Sequence, residues 1–163
     1  MNPAELQQLI RDFYLERLEL LMEHESAARF VSDYDVNNAY QYIISREETH
    51  VSWLQQALLG MGAEIPPDPA TPDVRATRKG NDAVLELSAN DARSNAEFVT
   101  KWRDRINGVT NARHKGMLEV VLGEMLEHRR LFEQASEGRT DIIGTALPIN
   151  ERRGTVIDRR WIE

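Results

Sequence analysis

The run Tyr40-Gln41-Tyr42-Ile43-Ile44-Ser45-Arg46-Glu47-Glu48-Thr49-His50-Val51-Ser52-Trp53-Leu54-Gln55-Gln56-Ala57-Leu58 decides how this chain is read. Tyr40, Ile43, Glu47, His50, Leu54 and Leu58 recur at steps of three and four, which sets them on one face of a helix. That face is apolar except for a glutamate and a histidine three residues apart. A buried carboxylate is costly unless it has a cation, a hydrogen-bonding partner or a raised pKa. Glu47-x-x-His50 offers one oxygen donor and one imidazole from successive turns, within reach of one metal ion or of two neighbouring ions.

Working outward, this block covers residues 36–59 and stops at Gly60-Met61-Gly62, the chemistry of a helix C-terminus. Before it, residues 3–31 form a first helical block, with Pro3 suited to an opening turn. Ser32-Asp33-Tyr34-Asp35 is the short connection, and it ends in Asp35 as an N-cap. After Gly62 the pattern breaks. Pro66, Pro67, Pro69 and Pro72 forbid a continuous helix, and Lys79-Gly80-Asn81-Asp82 reads as a turn. A weakly signalled helical piece follows at residues 83–87. A third block starts near Ser88 or Asn90 and ends at Asn107-Gly108, and a fourth runs over residues 110–136. Almost nothing alternates with a period of two. The expected fold is therefore all-α: a four-helix bundle of two hairpins joined by a long crossover. The bundle is placed at residues 1–137. The tail, 138–163, holds Val156, Ile157, Trp161 and Ile162 and is expected to pack on the bundle or on a second subunit.

The composition narrows the chemistry. Of 163 residues, 20 are basic and 27 acidic, a net charge of −7, which argues against nucleic acid as the partner. With no cysteine and four histidines, any metal must be held by carboxylates and imidazoles. No apolar run is long enough to span a membrane. Residues 1–5 lack the basic and apolar regions of a signal peptide, so the expected location is cytoplasmic. His24-Glu25 begins a zinc-protease motif, but Ala28 stands where the second histidine belongs. Neither a Walker-type phosphate loop nor a Gly-x-Ser-x-Gly elbow is present.

The fourth block repeats the theme of the second. Met117, Val121, Glu124, His128, Leu131 and Ala135 form a stripe with Glu124 and His128 four apart, and Glu127 is the other partner three residues after Glu124. In the first block the expected buried stripe is Leu9, Phe13, Glu16, Leu20, Glu23, Ala27 and Phe30. A hairpin turning near residue 33 sets Glu19 level with Glu47 and Glu16 level with His50, and Glu19 is favoured. In the second hairpin Glu97 falls level with Glu124.

In this plan the chain resembles the ferritin-like superfamily, and rubrerythrins and bacterioferritins in particular. Glu47-Glu48-Thr49-His50 matches the family motif, and Glu19 and Glu97 stand where its lone glutamates are expected. The resemblance covers residues 4–136 and implies a centre of two iron ions held by Glu19, Glu47, His50, Glu97 and Glu124, completed by His128 or Glu127. It also implies oxidation of ferrous iron by oxygen or peroxide, as a ferroxidase or peroxidase, in a homodimer or larger assembly. The fourth helix departs from the pattern, because Met125 occupies the place of a glutamate three residues before His128. There is also no cysteine for a rubredoxin-type iron centre. The alternative is a metal-free or degenerate bundle, a structural or interaction module, in which Glu47 and Glu124 pair with cations such as Arg17 or with histidines.

Overall fold

The computed structural model describes residues 1–144. They fold into four helices: α1, Pro3–Ala28; α2, Tyr34–Gly60; α3, Asn81–Asn107; and α4, Ala112–Ser136. The architecture is the expected all-α bundle, with α1–α2 and α3–α4 as closely packed hairpins and residues 61–80 as the long connection. Across the bundle, α1 meets α3 and α2 meets α4 more lightly, so two shallow grooves run along opposite sides. The tail residues Val156, Ile157, Trp161 and Ile162 lie outside the described residues.

The helix ends follow from local chemistry. Asn2 caps α1 in a reciprocal arrangement with Glu5. Asp33, rather than Asp35, caps α2 by accepting from the Val36 N–H at 3.0 Å. Asn111 does the same for α4 through the His114 N–H. Gly62 and Gly138 take positive φ values of 74° and 82°, and the residue after each donates its N–H back to the last turn. Both hairpin-ending helices therefore close in the left-handed turn that glycine adopts without strain.

The third helix starts at Asn81, well before Ser88 or Asn90, and absorbs residues 83–87. Ala83, Val84 and Leu87 are buried and continue the helical period back towards Gly80. Glu86 then ties the connection to that first turn by accepting from the Thr77 hydroxyl and the Thr77 and Arg78 N–H groups. The prolines fix the connection as an extended strap, whose Ile65, Val74 and Ala76 pack on the core.

The α1–α3 side is closed by aromatic packing. Phe13 stands edge-on to Phe98 and Trp102, with ring centroids 5.0 and 4.9 Å apart. Trp102 is fully buried, and its indole N–H donates to Glu16 at 2.8 Å. Trp102→Ala is expected to lower the free energy of unfolding by about 3–5 kcal/mol, and Trp102→Phe by less. Urea unfolding followed by helical circular dichroism measures both. A loss for Trp102→Ala no larger than that of a surface substitution would show that this cluster does not hold the two hairpins together.

Candidate functional site

The polar residues of the core gather around Glu47. All six residues of the α2 stripe, Tyr40, Ile43, Glu47, His50, Leu54 and Leu58, are buried as their spacing predicts. Glu47 has no solvent exposure and meets groups from two other helices. From α1, an Arg17 Nη lies 2.7 Å from its Oε1, and His24 Nδ1 lies 2.8 Å from its Oε2. From α4, His128 Nδ1 lies 3.5 Å from Oε1. Arg17 and His24 are themselves fully buried. The guanidinium approaches the carboxylate without aligning an N–H on it, so the attraction is ionic, and its three nitrogens complete no hydrogen bond.

Electrostatics follows from this packing. Burial alone would raise the pKa of Glu47, but Arg17, His24 and His128 together hold it well below the ordinary carboxylate range. Burial likewise pushes His24 down, and the Glu47 charge and hydrogen bond more than offset it, so its pKa is raised. On α3, Asp91 is pushed up by burial while it accepts a 2.6 Å hydrogen bond from the Tyr40 hydroxyl. Ser88 and Asn95 are the other buried polar side chains of that helix.

A second carboxylate stands beside this cluster at the α2–α4 edge. Glu124 has 23% of its side chain exposed and is held in a two-pronged contact by Arg46, with nitrogens 2.6 and 2.9 Å from its oxygens. His50 Nε2 donates to the same carboxylate at 2.9 Å, which fixes the tautomer and leaves Nδ1 without a partner. The His50 and His128 rings stack with centroids 6.1 Å apart. Burial and the nearby Arg17 charge lower the His50 pKa to about 4, against the opposing pull of Glu124.

The structure thus brings Glu47, His50, Glu124 and His128 into one level of the bundle and leaves the other three expected ligands elsewhere. Glu127 is exposed on the outer side of α4. Glu19 and Glu97 are exposed too, and together with Glu16 and Glu23 they line the shallow α1–α3 groove on the outside of the bundle. Phe30 is 45% exposed, and the buried face of α1 runs instead through Phe13, Arg17, Leu20, His24 and Ala27. Where the resemblance asks for a lone carboxylate on α1 and another on α3, the inward groups are Arg17 and His24 on one and Ser88, Asp91 and Asn95 on the other. A guanidinium 2.7 Å from Glu47 competes with a dication for the same oxygens. Among the described residues, no three histidine or carboxylate side chains are grouped so as to hold a metal ion. The residues present do not fit the di-iron ligand set. The periodic stripes did not single out Arg46, Asp91 or Asn95, and His24 entered only as the start of an incomplete zinc-protease motif, although it lies on the helical period through Phe13 and Arg17.

Comparison with protein-family models, with curated proteins and with solved structures finds no match for this chain.

Two measurements test this account of the core. Arg17→Met leaves Glu47 buried without its guanidinium and is expected to cost about 3–5 kcal/mol. The double change Arg17→Met with Glu47→Leu should recover most of that loss; a double variant as unstable as the sum of the single ones would mean that the two residues do not interact. The second measurement is pH dependence. A histidine buried neutral, with its pKa moved from 6.5 to about 4, stabilises the fold fully above pH 6.5, and its contribution is lost as the pH falls towards 4. Its counterpart His24, whose pKa is raised above 6.5, contributes below that value and loses its contribution as the pH rises through the folded pKa. The thermal midpoint of the protein should therefore drop between pH 6.5 and 4, and His50→Asn should flatten that drop while leaving the alkaline side unchanged.

Proposed function

We propose that this chain is a metal-free bundle of ferritin-like plan that serves as a structural or interaction module, with arginines of its own in place of metal ions. The observation that carries the reading is the buried contact of Arg17 with Glu47. Glu47 requires a positive charge beside it, and a fixed guanidinium meets that requirement at every pH at which the protein is folded. Arg46 does the same for Glu124. Met125, in the place of a ligand glutamate, removes a third negative charge from the same layer and is itself fully buried. On this reading no redox or acid–base step is assigned to the core. Its polar layer sets the register of the helices, and the outer faces make the contacts.

One observation supports a second reading, a di-iron centre with ferroxidase or peroxidase activity: His50, His128, Glu47 and Glu124 stand at one level of the bundle. It requires Arg17 to leave Glu47 and a further carboxylate to enter. Elemental analysis of protein purified without chelators, followed by anaerobic titration with ferrous ion, separates the two. The expected result is no stoichiometric iron and an unchanged thermal midpoint. Saturation near about two ions per chain, abolished by Glu47→Ala and by Glu124→Ala, would replace the proposal with the di-iron reading.

A further inference from the structure

The inner face of α4, through Leu118, Val121, Met125, His128 and Phe132, is fully occupied by the core. Its outer face carries a second periodic stripe: Arg113, Gly116, Val120, Gly123, Glu127 and Arg130, at steps of three and four. That is the spacing of a helix-to-helix seam, yet among the described residues nothing covers it. Val120, at its centre, is 48% exposed. On α2, Trp53 flanks the stripe beside Met117 and Arg113 and is 37% exposed. Further along, Tyr42 flanks it beside Glu127 and Arg130 and is 42% exposed.

The order of charges along the stripe identifies what fits it. A two-fold axis through Val120 reverses the helix, so that Val120 meets the partner's Val120 and Gly116 falls within one residue of the partner's Gly123. The same operation sets Arg113 opposite the partner's Glu127, and Glu127 opposite the partner's Arg113. Neither Arg113 nor Glu127 forms an ion pair within the described residues. The stripe is therefore self-complementary in charge as well as in spacing, which is the requirement for an isologous dimer. The two glycines agree with this. Each lies inside a helix, where glycine costs roughly 0.5–1 kcal/mol relative to alanine, and a Cβ built on either would meet nothing within 4 Å. Packing among the described residues does not need them. A second helix approaching closely over Val120 does.

We infer that the outer face of α4 is a dimer interface, in which two copies of this chain pack α4 against α4 antiparallel about an axis at Val120. This deepens the interaction-module reading by giving it a surface and a partner, and it does not depend on the metal content of the core, so the two fail separately.

Sedimentation velocity on the full chain at micromolar concentration tests it. The wild type is expected to be a dimer. Arg113→Glu alone and Glu127→Arg alone each set like charges against one another at both ends of the interface and are expected to weaken the dimer by about tenfold or more. Arg113→Glu combined with Glu127→Arg restores opposite charges and should restore the dimer. Because the sequence has no cysteine, Val120→Cys supplies a single thiol on the axis, and mild oxidation should convert that variant to a covalent dimer that Glu19→Cys, in the opposite groove, does not form. All these positions are exposed, so the helical circular dichroism should be unchanged. A wild type that stays monomeric overturns the inference, as does a dimer that both single charge reversals leave intact.

Discussion

Everything in this bundle is arranged around one carboxylate that water cannot reach. Glu47 sits at zero exposure, and the fold must supply a positive charge and hydrogen-bond donors to it from its own chain. It does so from two neighbouring helices: Arg17 and His24 from α1, and His128 from α4. That convergence fixes the rotation of α1 about its axis, since only one face can present both Arg17 and His24 inward. It also fixes the height of α4 against α2, because His128 must arrive beside Glu47 while Glu124 meets Arg46 and His50. A buried ion pair of this kind contributes little net stability, because desolvating both charges offsets their attraction. Its effect is on specificity. A sliding of any of the three helices would leave a charge buried alone.

The charges of the layer also constrain one another. Arg17 and His24 face Glu47, and the nearby Asp91, pushed up by burial, accepts from the Tyr40 hydroxyl of α2. The raised pKa of His24 and the lowered pKa of His50 have the same origin in opposite settings. His24 touches the fully buried carboxylate, whose charge and hydrogen bond raise its pKa. His50 faces a carboxylate already neutralised by Arg46 and lies within the field of Arg17, so burial prevails and the ring is neutral. Glu124 differs again, because it is partly solvated and its pair with Arg46 is worth correspondingly less. One layer thus contains a rigid inner contact and a softer outer one.

The period of α2 was fully legible, since every residue of its stripe is buried and the strange glutamate on that stripe is indeed the centre of the core. The hairpin register was legible as well, and Arg17 could be named as a cation for Glu47. What periodicity left open was the rotation of helices that are apolar on more than one side. Glu19 stands two residues beyond Arg17, and two steps of helix turn the side chain by about 200°, to the groove on the outside. Glu97 is displaced in the same way from the inward Asn95. Both positions lie at the right height and on the wrong side, because an acidic residue was sought where the core uses a cation and an amide. On α4 the shift is a single residue: Met125 is the buried centre of the stripe, so Glu124 is carried to the edge, where Arg46 can reach it. The early start of α3 was hidden by the prolines and glycine before it, whose strong turn chemistry masked the buried Ala83, Val84 and Leu87.

These departures from the resemblance are not independent of one another. A layer with carboxylates from all four helices carries enough negative charge to need metal ions before it can close, and the binding energy of the ions becomes part of the folding energy. Here α1 presents no inward carboxylate, α3 presents Asp91, which accepts from the Tyr40 hydroxyl, and position 125 is Met, so the carboxylates with a cation beside them are Glu47 and Glu124. Two carboxylates need two monovalent cations, and Arg17 and Arg46 are those cations, one for each. These two carboxylates and two arginines therefore compensate in charge within the layer. Without Arg17, Glu47 would be buried with only imidazoles beside it. Under the metal-free reading, then, the core balances its own charges, and the bundle closes without waiting for an ion.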